Sequence, residues 1–226
     1  MYKKIAVGFF ATSIALSGVS NALAANLADV KPMSINLAAV SELTLTEETP
    51  LFNNANFYSK TGATVSPQTV DVVDQDGDWY KIKTWLGDKW ILVDGFGIPL
   101  SSSSYTVTSP YGERTDPITG KVAKHNGIDV SSSKTDILAS ASGTVAYIGY
   151  QSERGNYVDI EHKINGTTYT TRYQHLASDS VSEGQKVLAG DKIGVMGATG
   201  KATNVHLHFE LLKGSTPIDP EDWIDF

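Results

Sequence analysis

The sequence predicts an all-β protein, a small barrel followed by a compact antiparallel β-sheet domain. Three observations carry that expectation. Short segments alternating apolar and polar residues recur through the chain, and glycine or asparagine turns separate them, with 20 glycines in 226 residues. From residue 41 onward no stretch keeps the 3.6-residue rhythm of an amphipathic helix. Hydrophobic residues make up 41% and charged residues 19%, the composition of a globular chain. The net charge of −7 would repel a phosphate backbone, so nucleic acid is excluded as a partner. The chain has no cysteine. Disulfides, thiol nucleophiles and Cys-type metal sites are thereby ruled out, and any metal must be held by His, Asp and Glu.

Residues 1–24 have the layout of a secretory signal peptide. Lys3 and Lys4 precede an apolar run from Ile5 to Val19, and Ala22-Leu23-Ala24 offers a small-x-small cleavage site. Export is expected, with no stable membrane association after cleavage. Residues 25–40 are rich in Ala, Asn and Ser without periodicity and read as a flexible arm.

Residues 41–97 carry the barrel. Thr69 to Val73 is rich in β-branched residues, Gln75 to Asp78 supplies a turn, and Trp79 to Trp85 alternates. Gly87-Asp88 makes a second turn before Lys89 to Val93. The stretch GDWYKIKTWLGDKWI resembles bacterial SH3-type domains, which accompany cell-wall enzymes and bind peptidoglycan peptides. Three of the four tryptophans fall here; Trp79 and Trp90 read first as core, with a groove lined by one or two aromatics as the alternative. Residues 98–104, ending in four serines, read as a linker.

Residues 105–226 are strand-rich. Asn165-Gly166, between two alternating segments, is a two-residue hairpin signal. Gly200-Lys201 lacks two of the four signature positions of a phosphate-binding loop and is set aside. All five histidines lie in this region: His125, His162, His175, His206 and His208. His125 and Asp129 are four apart, His206 and His208 two apart, and even spacings on strands place each pair on one side. Leu207, Phe209 and Leu211 then face a core, while His206, His208 and Glu210 face away from it.

The segments SPYGERTDPITGKVAKHNGIDV, YTTRYQHLAS and GVMGATGKATNVHLHFELL, in that order, resemble the lysostaphin-like zinc endopeptidases of bacterial cell walls. The resemblance covers residues 105–226 and implies a β-sheet fold with the site in a groove. It implies His125, Asp129 and His208 as zinc ligands, with His175 and His206 as catalytic groups beside the metal. Asn204-Val205, where the family often has Gly-Pro, and Ser131 to Ser133 depart from the pattern and bear on substrate preference. Two imidazoles and a carboxylate would leave zinc an open position for water. Glu210 reads either as a partner orienting a ligand imidazole or as a solvated acid. Tyr111 and Arg114 read as lining the groove or bracing the hairpin that carries His125.

If Asn165-Gly166 is a two-residue turn, His162 faces Tyr169 and His175 faces Asn156. Strand parity then sets the two histidines on one face, roughly 20 Å apart at ~3.4 Å per residue, so His162 is expected to be structural. The function expected is a secreted, cell-wall, monomeric zinc endopeptidase cutting peptide bonds of peptidoglycan. The alternatives are a non-catalytic wall-binding scaffold, a zinc D,D-carboxypeptidase and a muralytic glycosidase, for which no carboxylate pair stands out.

Overall fold

The computed structural model describes residues 41–115 and 120–226. The expected signal peptide and arm lie on residues 1–40, outside the described residues. Alternating segments became strands almost throughout. β1 (Glu42–Thr44), β2 (Thr49–Phe52), β3 (Lys60–Val65), β4 (Thr69–Asp76), β5 (Trp79–Ile82) and β6 (Lys89–Leu92) form one sheet in the order β1-β4-β5-β6-β2-β3. The segment expected to form a small barrel contains this six-stranded antiparallel sheet. Its core is Leu51, Ile82 and Ile91, all inaccessible to solvent, with Leu45, Val65, Val70 and Tyr80.

A second cluster joins this sheet to the rest of the chain. Phe52 and Phe57 pack with Leu138 and Ala189, and Trp79 meets Phe52 edge-on at 5.1 Å between ring centres. Each buried phenylalanine contributes about 1.5–3 kcal/mol by leaving water. Lys60 pairs with Asp191 and donates to the Ala189 carbonyl across the same seam. The expected linker is packed against the second half of the chain: Leu100 is fully buried and the Leu138 amide donates to the Pro99 carbonyl. The described residues form one compact unit.

The second half begins with β7 (Tyr105–Ser109), the hairpin β8 (Gly112–Thr115) and β9 (Val122–His125), then β10 (Ile128–Ser132) and β11 (Asp136–Leu138). The long strands β12 (Gly143–Gln151), β13 (Gly155–Ile164) and β14 (Thr167–Leu176) follow. After them come β15 (Ser178–Asp179), β16 (Lys186–Val187), β17 (Lys192–Val195), β18 (Leu207–Lys213) and β19 (Thr216–Ile218). The large sheet runs β16-β12-β13-β14-β18-β10-β7, with β19 beside β18. Its core face holds Ile128, Val130, Val158, Ile160, Tyr173, Leu207, Phe209 and Leu211. Among the described residues no helix is long and apolar enough to cross a membrane.

Asn165 and Gly166 take φ values of 50° and 72°, the left-handed pair a two-residue hairpin requires. His162 faces Tyr169 as that register demands. Further along, the register shifts, and Asn156 faces Leu176 rather than His175. The extra residue of this bulge falls at the end of β14, where His175 adopts φ 61°.

Candidate metal centre

Four of the five histidines meet at one end of the large sheet. β10 and β18 pair so that Asp129 stands opposite His208. The buried apolar residues of β18 at 207, 209 and 211 fix its phase, so 208 and 210 point to the other face. His125 arrives at the end of β9. Between it and Asp129, a Cβ on Gly127 would lie 2.3 Å from the Phe209 carbonyl oxygen, so glycine is required for this turn to press on β18.

The outer partners decide which nitrogen of each ring faces inward. His125 Nδ1 donates to the Pro110 carbonyl at 2.7 Å, since a carbonyl only accepts, and Nε2 is left bare. His208 Nε2 donates to Glu210 Oε1 at 3.2 Å, and Nδ1 is left bare. Those two bare nitrogens and Asp129 Oδ1 form a triangle. His125 Nε2 is 2.9 Å from His208 Nδ1 and 3.2 Å from Asp129 Oδ1, and His208 Nδ1 is 2.8 Å from that oxygen. Three electron-rich atoms aimed at one point repel unless a cation or proton sits among them. A tetrahedral ion with ~2.0–2.1 Å bonds spaces its ligand atoms about 3.3 Å apart, close to these edges. Among the described residues His125, Asp129 and His208 are the one such group.

Electrostatics agree. Burial by itself would raise the Asp129 carboxyl, but His125 and His208 outweigh it and hold it well below the usual carboxylate range. Burial opposes charging His208, yet Asp129 and Glu210 raise its affinity for a proton above the ordinary value. A divalent ion bound here would compete with that proton. The second oxygen of Asp129 is 3.2 Å from Arg114 Nη1, which also donates to Ser109 Oγ. Tyr111 donates to the Pro217 carbonyl. Of the readings open for Arg114 and Tyr111, the structure shows bracing.

His206 and His175 lie beside the triangle. His206 Nδ1 donates to the Asn204 carbonyl at 2.9 Å, and its Nε2 is 3.7 Å from Asp129 Oδ1. His175 Nδ1 donates to the Thr199 carbonyl at 2.8 Å. The rings of His175 and His206 are 4.8 Å apart at their centres, and His175 is 6.0 Å from His208. Burial pushes His175 down to about 4 despite the Thr199 contact, so it is neutral near pH 7. The bulge is what brings it here. With unbroken alternation His175 would share the face of Thr171 and Tyr173, in the core.

His162 stays on that core face, so the bulge separates it from His175, with which strict parity had it share a face, and it is structural, as expected. It is fully buried, donates one ring N–H and accepts at the other nitrogen between the Ser142 carbonyl and Thr171 Oγ1, and meets Phe96 edge-on. The sequence reading missed a network behind His208. Arg172 grips Asp159 through Nε and Nη2, both at 2.8 Å, and donates from Nη1 to Glu210 Oε2 at 2.9 Å. Burial would raise the Glu210 carboxyl, but His208 and Arg172 lower it. Glu210 is thus a held partner of His208, not a solvated acid.

This arrangement can be set beside known proteins. Residues 123–220, containing all five residues of the cluster, match the model of peptidase family M23. The catalytic domain of a mutant of the prophage-encoded M23 protein EnpA from Enterococcus faecalis is 30% identical. The alignment covers 54% of this chain and 94% of that one, with a TM-score of 0.47. This chain belongs to peptidase family M23. M23 is a family of zinc metallopeptidases, and the His-Asp-His group is the donor set such an enzyme uses. The chain is 40% identical over 119 residues to the peptidoglycan DD-endopeptidase ShyA of Vibrio cholerae, covering 52% of this chain and 27% of ShyA. A crystal structure of a zinc-containing peptidase from Vibrio cholerae matches with a TM-score of 0.50 and 31% identity, over 71% of this chain and 51% of that one. The chain therefore spans about a quarter of ShyA and half of the second protein.

Proposed function

We propose that this M23 chain is a zinc-dependent endopeptidase that cuts peptide cross-links of bacterial peptidoglycan. The observation that carries the reading is the convergence of His125 Nε2, Asp129 Oδ1 and His208 Nδ1, each with its outward side already partnered. Zinc held there would supply Lewis acidity toward a peptide carbonyl and a water that ionises near neutral pH. The chain's own part is to hold and move protons. Among the described residues, Nε2 of His175 and Nε2 of His206 are the two ring nitrogens beside the ligands that make no hydrogen bond, typed to take a proton from the attacking water and return it to the leaving amine. The rings are held by the carbonyls of Thr199 and Asn204, so neither has to reorient. ShyA's name, a peptidoglycan DD-endopeptidase, supports a D,D cross-link as the scissile bond.

The rest of the chain fits an exported enzyme. The leader at residues 1–24 sends it out of the cell, and it works at the wall as a monomer. The six-stranded sheet serves as an SH3-type wall-binding module. Trp79 and Trp90 are packed against the cluster of Phe52, Phe57, Leu138 and Ala189, whereas Trp85 is 66% exposed beside a cavity of about 260 Å³ lined by Val65, Gln68, Val70 and Lys83. A D,D-carboxypeptidase is the second reading, favoured by the similar Neisseria meningitidis protein named DD-carboxypeptidase/endopeptidase Mpg. Mass spectrometry of sacculi digested with the zinc-loaded protein separates the cases. Cross-linked dimers split into monomers support the endopeptidase. Loss of terminal D-alanine alone points to the carboxypeptidase, new reducing ends to a glycosidase, and binding without products to a scaffold.

A further inference from the structure

The face of the large sheet that carries the site also carries a cation that no carboxylate among the described residues pairs with. Arg154 lies in the turn between β12 and β13, its guanidinium carbon 5.4 Å from the centre of the Tyr157 ring. Arg172 approaches the same ring at 6.0 Å. The two cations differ in what neutralises them. Arg172 is taken by Asp159 and Glu210, whereas among the described residues no carboxylate is within ion-pair distance of Arg154. Tyr147 stacks on Tyr157 with centroids 5.3 Å apart and remains 46% exposed, forming a ledge beside the guanidinium.

The turn is fixed to the catalytic histidine. The Arg154 carbonyl accepts from the His175 amide at 2.8 Å. The Asn156 amide donates to Thr199 Oγ1 at 3.0 Å, and Thr199 is the residue whose carbonyl holds His175 Nδ1. A Cβ on Gly155, at φ 65°, would lie 2.3 Å from Thr199 Oγ1, so the two loops meet with no room between them. The Lys201 amide closes the contact on the Glu153 carbonyl. An arginine in this setting has a rigid base and an aromatic backing, and a guanidinium that also hydrogen-bonds Tyr157 still has further donors to offer, the features of a prepared carboxylate receptor.

We propose that Arg154, backed by Tyr157 and Tyr147, is the subsite for a carboxylate on the stem peptide near the scissile bond. This rests on the peptidoglycan-endopeptidase reading above and adds a substrate class to it. Stem peptides carry carboxylates that are either free or amidated, and only the free form pairs with the guanidinium fork. A chain of net charge −7 would otherwise repel such a substrate, so one placed cation has a large share in choosing it.

The test uses the zinc-loaded full chain and two synthetic cross-linked muropeptide dimers that differ only in amidation of those carboxylates. For the natural sequence, kcat/KM on the free-carboxylate dimer should exceed that on the amidated dimer about tenfold, mostly through KM. In Arg154→Gln the ratio should fall to near one, and Arg154→Lys should restore part of it. A natural ratio near one overturns the proposal. So does an equal loss on both dimers in Arg154→Gln, which would mean that the side chain only braces Tyr157. If neither dimer is cut, the peptidase reading has failed, and titration of binding then decides the subsite separately. Tighter binding of the free-carboxylate dimer that Arg154→Gln removes supports it, and equal binding overturns it.

Discussion

The carboxylate of Glu210 lies 3.2 Å from Nε2 of His208, and this contact sets which imidazole nitrogen faces Asp129. Arg172 holds the other oxygen of that carboxylate and is itself anchored by Asp159. The charges alternate outward from the metal position, cation, Glu210, Arg172, Asp159, so each buried ion has an opposite neighbour.

Glu210→Gln keeps the shape and removes the charge that favours the Nε2–H form of His208. Zinc affinity, read by competition with a chromophoric chelator, should fall about 10–100-fold, the usual cost of losing an outer partner of a ligand histidine. An unchanged affinity would mean that Glu210 only fills space. Arg172→Met should be worse for the fold than for the metal, because it strands two buried carboxylates at a cost of about 3–5 kcal/mol.

The two histidines of His206-Leu207-His208 should separate cleanly. His208→Ala removes a corner of the triangle and should abolish both zinc retention and wall lysis. His206→Ala leaves the triangle whole and should retain zinc within a few-fold while losing lysis about 100-fold or more. Metal analysis after gel filtration, run beside a turbidity assay on sacculi, reads both. Equal zinc loss in the two variants would remove the distinction between ligand and proton carrier.

Acid should destabilise the fold through a residue remote from the metal. Burial holds His162 at about 4, against a smaller opposing effect of its bond to the Ser142 carbonyl, whereas the unfolded chain binds the proton near 6.5. The unfolded state thus takes up a proton first as pH falls, and stability present above ~6.5 is lost progressively toward 4. The total is about 3 kcal/mol. Urea unfolding of metal-free protein at pH 7.5 and 4.5 should show this loss in the natural sequence and a smaller one in His162→Gln. The same acid loss in both would place the sensitivity elsewhere.

Much of the site was legible because strand alternation is strict. The apolar residues at 207, 209 and 211 fix the direction of His208 and Glu210, and Ile128 and Val130 do the same for Asp129. The Asn165-Gly166 turn likewise fixed His162 against Tyr169, and it also set Asp159 against Arg172, a pair readable from the same register. What alternation cannot reveal is its own interruption. The bulge before Leu176 turns His175 from the core face to the site and breaks the register with Asn156. No residue type in that stretch announces it, because the left-handed position is taken by a histidine rather than a glycine. The packing of Leu100 and Phe52 against the second half depends on contacts distant in sequence, so residues 98–104 look like a spacer until the sheets are placed.

Anomalous diffraction from crystals of the purified protein, recorded on both sides of the zinc absorption edge, tests the central claim most directly. A peak bounded by His125 Nε2, Asp129 Oδ1 and His208 Nδ1, present above the edge and lost below it, is the predicted result. A zinc-supplemented crystal with no peak there, or with zinc bound by other residues, would contradict it.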